Sequence, residues 1–190
     1  MQVMPKGYVG LAGAVVFWYV ENGQRFMLMV RQEPKVLGGD GKARFVSAMG
    51  LGVSADMGTA LRKVALAQLG EVFVRSVLAK GALQADKVVC APLFNYTDEA
   101  VGVASPVQSL LWVVQVNPHM VDVIVTPEGV QALRVPEQAL AGSDKVSATH
   151  KALLATVQRH LPKMKPVPVA SAELVEENIR ELSAGVRVVH

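Results

Sequence analysis

Cysteine is almost missing from this sequence, because Cys90 is the only one among 190 residues. A single thiol excludes an internal disulfide and any zinc cluster built from several cysteines. It is also typical of a protein in a reducing compartment. Since Cys90 lies within an apolar, strand-like run, we expect it to be a small core side chain and not a reactive nucleophile.

Runs of like charge are also missing. The formal net charge is only +3, and the lysines and arginines are scattered along the chain. A surface dedicated to nucleic acid or to an anionic membrane would gather such residues into a patch or a run. We therefore expect neither nucleic acid nor a membrane among the partners of this protein.

No apolar run has the length of a membrane-spanning helix. The stretch from Tyr8 to Val20 is shorter than the ~18–20 residues that such a helix needs. It resembles the apolar part of a signal peptide, but no small-residue cleavage site follows it, and the chain continues with Glu21-Asn22-Gly23-Gln24. The sequence therefore predicts a cytoplasmic protein.

Several motifs of nucleotide and metal binding are absent. Gly50-Leu51-Gly52 lacks the third glycine of a dinucleotide-binding fingerprint, and no Gly-Lys-Ser or Gly-Lys-Thr forms a phosphate-binding loop. The histidines do not predict a metal site: His150 and His160 are ten positions apart on one predicted helix, a rise of ~15 Å. We expect His150 at the edge of the core and His160 at the surface, and no shared ion with His119.

What the chain does have is enough apolar material for one core. About half of the residues are hydrophobic (51%), which lets burial offset the conformational entropy lost on folding. We predict one domain over residues 1–162. Residues 163–190 are predicted to be a proline-containing linker followed by a short amphipathic helix, Ser171–Ser183, that docks on the domain or on a second subunit.

Strand patterns dominate the predicted domain. Val9–Val20 and Arg25–Arg31 are rich in β-branched, aromatic and small residues and flank Asn22-Gly23, a strong hairpin signal. Trp18 and Trp112 lie in strand patterns and are expected in the core. The further predicted strands are Phe45–Met49, Val72–Leu78, Val88–Tyr96, Leu110–Val116, Val121–Val125 and Val130–Val135.

Two helices complete the predicted domain. A glycine-punctuated turn leads into the first, Thr59–Leu69, which Gly70 is expected to end by adopting the left-handed conformation. The second is predicted to begin near Ser143-Asp144 and to run to Leu161, with one apolar face packed on the sheet. Strands and helices together predict an α/β (α+β) domain built on a sheet of several strands.

This order of elements resembles the Nudix hydrolase family over about Gly7 to Leu161. The most specific part is FVSAMGLGVSADMGTALRKVALAQLG, residues Phe45–Gly70. It is similar to a degenerate copy of the family's strand-loop-helix-loop signature, G-x5-E-x7-R-E-U-x-E-E-x-G-U, in which U is a bulky aliphatic residue. The resemblance implies a Nudix-like α/β/α sandwich, in which helices flank a mixed β-sheet.

In that family, glutamates of the signature helix bind divalent metal, which helps to generate the hydroxide that cleaves a phosphoanhydride. Counting back from Gly70, Lys63 takes the place of the family's arginine, and Val64, Ala67 and Gln68 take the places of its three glutamates. None of the three is a carboxylate, and a buried apolar face at Val64 and Ala67 would not retain a hydrated dication. We therefore expect no bound metal and no catalysis by the family mechanism.

Two acids near the signature have alternative interpretations. Counting forward from Gly50 along the signature places the family's early glutamate at Asp56. This forward count and the backward count from Gly70 differ by one residue, so we predict that the loop of the signature is shortened. Asp56 also precedes the helix, where its carboxylate would cap free N–H groups. Glu71 would reach a metal only in another register, and we expect it to be exposed at the start of a strand.

Three cations flank the glycine-rich segment Pro34–Lys42, which we predict to be an exposed, mobile loop. They are Lys35, Lys42 and Arg44. Loops of this kind often border a site. We regard these three residues as candidate ligands of a phosphate group.

Three functions remain open at this stage. The leading hypothesis is a non-catalytic module that binds a nucleoside diphosphate derivative or another partner. The second is an active pyrophosphohydrolase of such derivatives, with Mg²⁺ held by Asp56, Glu71 and an acid of the Tyr96–Val101 loop. The third is a structural homodimer joined through edge strands or the C-terminal helix.

Overall fold

The computed structural model describes residues 10–36, 39–51, 57–78, 85–98 and 103–160. The helices and strands follow one another as β1 (Gly10–Glu21), β2 (Gln24–Gln32), β3 (Ala43–Arg44), β4 (Val46–Leu51), α1 (Met57–Leu69), α2 (Glu71–Leu78), β5 (Ala85–Asp98), β6 (Val103–Gln115), α3 (Pro118–Val121), β7 (Val130–Pro136), α4 (Glu137–Leu140) and α5 (Ala148–His160). The predicted C-terminal linker and helix lie outside the described residues.

The β1–β2 hairpin forms as its turn residues dictate. Asn22 and Gly23 have φ values of 50° and 75°, and the strands pair from Glu21↔Gln24 onward. Two central residues with positive φ are typical of the tight turn whose twist matches that of the flanking strands. The predicted hairpin is therefore confirmed.

The seven strands form one mixed sheet. Its main order is β3-β2-β1-β6-β5, with β4 paired to β1 and β7 paired to β2. β1 and β6 run parallel, whereas the other neighbours run antiparallel. The pairing partner of β1 changes along its length, because residues 17–21 pair with β2 and residues 10–15 pair with β4.

The sheet separates two apolar cores, because neighbouring side chains of a strand point to opposite faces. In β1, Val16 and Trp18 belong to the core that α5 completes, and Phe17 and Tyr19 belong to the core that α1 and α2 complete. Trp112 is half-buried and also packs against core residues. The predicted layers of helix, mixed sheet and helix are therefore confirmed.

Two predicted strands are wrong. Val72–Leu78 belongs to the helix α2, so Glu71 is exposed at the first residue of a helix and not of a strand. Val121–Val125 contains the end of α3 and the turn after it. That helix begins because the Asn117 side chain accepts a hydrogen bond from the His119 N–H at 3.0 Å and Pro118 occupies the first turn.

The last described helix begins later than predicted. Residues near Ser143-Asp144 do not cap it, because the chain first forms a bridge to β3 at Ala43↔Val146. The N–H of Ala43 donates to the Lys145 carbonyl at 2.7 Å, and the Ser147 N–H donates to the Ala43 carbonyl at 3.0 Å. The helix α5 therefore starts at Ala148.

No helix within the described ranges combines the length and the apolar character that crossing a bilayer requires.

Candidate functional site

The strand and the helix of the signature segment are present: β4 precedes α1 along the chain, and Gly70 ends that helix. Gly70 has a φ of 84°, and its N–H donates to the Leu66 carbonyl at 3.2 Å. A Cβ on Gly70 would lie 2.9 Å from the carbonyl oxygen of Val125, whose own N–H donates to the Leu69 carbonyl at 3.3 Å. The prediction of a left-handed helix end is confirmed, and this close approach fixes the 121–126 segment against the end of α1.

Replacing Gly70 with alanine is expected to lower the free energy of unfolding by about 2 kcal/mol, because a side chain is strained at positive φ and its Cβ would press on a backbone oxygen. Urea unfolding measures the effect. Gly142→Ala is the matched control, since no atom lies within 4 Å of a Cβ there. Equal stabilities of the two variants would contradict the argument.

The signature positions of α1 differ in their burial. Leu61, Ala65 and Leu69 form its buried side, spaced four residues apart. Lys63 and Ala67 are exposed, so the expectation that Ala67 lies on a buried face is wrong: it lies opposite the Leu61–Leu69 row.

The two remaining signature positions are half-buried. Val64 packs against the core on the α1 side of the sheet. Gln68 has its side-chain oxygen enclosed without a hydrogen-bond partner. Val64 therefore offers only hydrocarbon at its signature position, and Gln68 offers a neutral amide.

These residues do not fit the divalent metal that the fold implies. Magnesium takes oxygen ligands, most often carboxylates. Val64 and Ala67 carry no side-chain oxygen, and Gln68 offers one neutral carbonyl. Across the described part of the chain, no group of three His, Cys, Asp or Glu side chains is placed to hold a metal ion.

The structure describes one of the two acids near the signature, Glu71. Asp56 lies outside the described residues. The Glu71 carboxylate binds Arg75 one turn further along α2, with 2.5 Å between Oε1 and Nη2. Glu71 is thus engaged on the surface of its own helix.

The three candidate phosphate ligands are tied into the loop that they flank. Lys35 pairs with Glu33 at 3.1 Å, and Arg44 pairs with Asp40 at 2.6 Å. The backbone N–H of Lys42 donates to the Asp40 carboxylate at 2.9 Å. That hydrogen bond, together with the Arg44 guanidinium, holds the pKa of Asp40 below its ordinary value.

The acids Glu33 and Asp40 therefore already neutralise two of the three cations. A phosphate would have to displace carboxylates to reach Lys35 or Arg44. Exposed ion pairs contribute little stability, so replacing a carboxylate by a phosphate would cost little free energy. The loop is nevertheless not an open anion site.

A groove that the sequence does not indicate lies between β7 and residues 121–126. Its volume is about 410 Å³. Leu28 and Ala132 lie on the apolar side of its lining, and Asp122 and Arg134 also line it. The Nη2 of Arg134 donates to the Asp122 carboxylate at 2.5 Å. The groove thus joins an apolar surface to an ion pair.

The hydroxyl of Tyr19 is buried beside that ion pair. Burial raises the pKa of Tyr19, while the nearby Arg134 opposes the rise. Arg134 is close enough to act on the hydroxyl electrostatically, yet the hydroxyl has no hydrogen-bond partner of normal geometry. The Tyr19 hydroxyl therefore lies within electrostatic reach of the Arg134–Asp122 pair, although Tyr19 does not line the groove.

Solved structures with the same arrangement of strands and helices are Nudix proteins. The Nudix hydrolase RenU from M. smegmatis superposes with a TM-score of 0.53 and 13% identity, over 80% of this chain and 86% of its own. A binary complex of the C. elegans Ap4A hydrolase gives a TM-score of 0.53 and 15% identity, over 82% of this chain and 100% of its own. No family model matches the chain, and no curated sequence matches it significantly. At these identities the likeness is one of fold: the chain has a Nudix-like fold.

Proposed function

We propose that this chain is a Nudix-like binding module that holds a nucleoside diphosphate derivative without cleaving it. The observation that carries the proposal is the composition of α1, where Val64, Ala67 and Gln68 stand at the three glutamate positions of the signature. A fold can persist after its catalytic residues are lost, so the Nudix-like fold does not by itself imply hydrolysis. The Ap4A hydrolase among the similar structures supports nucleotide derivatives as the ligand class by analogy of fold alone.

The rival function is hydrolysis with metal ligands drawn from other positions. It needs several carboxylates around one ion, since Mg²⁺ is held by oxygens at ~2.0–2.1 Å. In the described ranges Glu71 is paired with Arg75, and no three metal-binding side chains converge. Because Asp56 lies outside the described residues, our preference for the binding module rests on the composition of α1.

A direct test exposes the full-length protein to nucleoside diphosphate derivatives, including ADP-ribose and Ap4A, with and without Mg²⁺ or Mn²⁺. A ligand that binds the native state must raise its thermal stability. We expect such stabilisation with at least one compound and no product release. Metal-dependent turnover that disappears in Asp56→Asn or Glu71→Gln would establish the rival instead.

Restoring the carboxylates should restore metal binding. Val64→Glu/Ala67→Glu/Gln68→Glu places three acids at i, i+3 and i+4, which lie on one side of a helix. We expect this variant to bind Mn²⁺ at least about ten-fold more tightly than the natural chain, as measured by water-proton relaxation.

The matched control adds acids without this convergence. Gln138→Glu/Ala139→Glu changes an exposed Gln and an exposed Ala on the short helix α4. A second variant, Ala67→Glu/Gln68→Glu, leaves the half-buried Val64 intact in case the triple change unfolds the chain. If neither α1 variant exceeds the α4 control, the missing carboxylates are not what prevents metal binding.

A further inference from the structure

The groove between β7 and residues 121–126 has the volume of a small-molecule site and charged groups in its lining. Its volume of about 410 Å³ falls within the ~300–1,000 Å³ of small-molecule sites. Leu28, Ile124 and Ala132 present apolar surface to it, while Thr126, Asp122 and Arg134 add polar groups. In small-molecule sites, polar groups of this kind fix the orientation of the ligand.

We propose that this groove binds the base of a guanine-type nucleotide, with the base edge against the Arg134–Asp122 pair. The inference rests on the proposed function, which it deepens by naming the base and its site. Guanine carries two acceptors, O6 and N7, next to two donors, N1–H and N2–H. An arginine suits the acceptor pair, and a carboxylate accepts from the donors.

The ion pair has hydrogen-bonding capacity beyond its own bond. Arg134 donates through Nη2 to one oxygen of Asp122, whereas a guanidinium has five N–H donors and a carboxylate two oxygens. Both side chains are partly exposed, at 44% and 60%. The pair can therefore accept a neutral ligand with adjoining acceptors and donors without being broken.

The Tyr19 hydroxyl lies close to the Arg134–Asp122 pair, because the charges of both residues act on it. Tyr19 itself is buried and does not line the groove, so its hydroxyl is a neighbour of the ion pair and not a contact for a ligand. A ligand that binds Arg134 would therefore change the electrostatic surroundings of the Tyr19 hydroxyl, on which Arg134 and Asp122 both act.

The groove is also held in place by backbone contacts, as a binding site must be. The Val125 N–H donates to the Leu69 carbonyl at 3.3 Å, which attaches the 121–126 side of the groove to the end of α1. The opposite side is β7, which pairs with β2 at Leu28↔Arg134. Val125 itself is 70% exposed on this segment.

The test measures binding of guanosine and adenosine to the full-length protein by isothermal titration calorimetry, followed by GDP and ADP. The two nucleosides share their ribose and lack phosphate, so any difference between them reports the base. We expect guanosine to bind at least about ten-fold more tightly than adenosine, because adenine presents fewer matching groups to the pair. Arg134→Ala should weaken guanosine binding at least about ten-fold.

Arg75→Ala is the matched control, because Arg75 forms an ion pair of the same 2.5 Å length with Glu71 outside the groove. It should leave guanosine binding unchanged. Equal affinities for guanosine and adenosine, or equal losses in the two arginine variants, would overturn the groove assignment.

The proposed function can fail separately from this inference. GDP binding that Arg134→Ala leaves intact, without guanosine binding, would refute the groove and leave the binding module standing. Guanosine binding with no binding of any diphosphate derivative would support the groove and refute the broader proposal. Absence of binding by every nucleoside and nucleotide would refute both.

Discussion

Truncation of Phe73 to alanine is expected to lower the free energy of unfolding by about 3–5 kcal/mol. Phe73 is completely buried on α2, and its ring meets that of Phe17 edge-on with 5.3 Å between centroids. Removing the ring leaves a cavity between the helix and the sheet, which costs packing contacts as well as apolar burial. Urea or thermal unfolding of purified variants measures the loss.

The control for Phe73 lies two residues away. Arg75→Ala removes an exposed side chain from the same helix and should change the stability by less than about 0.5 kcal/mol. In a strand, Phe73 and Arg75 would share one face, whereas in the helix they point in different directions. Losses of similar size on truncating Phe73 and Arg75 would contradict the helical structure of this segment.

The same segment shows why sequence periodicity misled the strand prediction. Val72–Leu78 contains three valines and a phenylalanine, and a short apolar run does not distinguish a buried strand from a buried helix. Gly70 was interpreted as the end of one element, but a second helix begins one residue later, at Glu71. The spacing of Glu71 and Arg75 is the local signal that favoured a helix.

Features set by local chemistry were predictable. The Asn22-Gly23 hairpin, the body of α1 and the glycine that ends it each depend on a few adjacent residues. Their order along the chain was enough to indicate the Nudix-like fold, even though the identities with the similar structures are only 13% and 15%.

The groove was not predictable because its parts meet only through the sheet. Leu28, Asp122 and Arg134 come from three separate parts of the chain, and the register Leu28↔Arg134 brings β7 beside the hairpin. By contrast, the ion pairs of the glycine-rich loop are local. Glu33 and Lys35 are two residues apart, so their pairing could have been anticipated from spacing.

Acid should weaken the protein through a single buried histidine on α5. His150 is 5% exposed, and its Nδ1 accepts a hydrogen bond from the Phe45 N–H at 3.2 Å. Burial, reinforced by the charge of Arg44 and opposed by Asp40, lowers the pKa of His150 from its ordinary 6.5 to about 4. The folded chain therefore requires the neutral imidazole, since a protonated Nδ1 cannot accept that hydrogen bond.

The direction of the pH effect follows from proton binding. Between pH 6.5 and about 4 the unfolded chain binds a proton at this histidine that the folded chain does not, so stability is lost as the pH falls through this window. At about 1.4 kcal/mol per pH unit the full loss is about 3 kcal/mol, and it is complete below about pH 4.

Denaturant unfolding at intervals from pH 7 to pH 4 measures this effect. His150→Gln should be less stable at pH 7 but should show a flatter decline toward pH 4. The matched control, His119→Gln, changes an exposed histidine that lies outside the buried core and should keep the slope of the natural chain. Parallel pH profiles for the natural chain and His150→Gln would contradict this prediction. They would show that protonation of the His150 imidazole is not linked to unfolding.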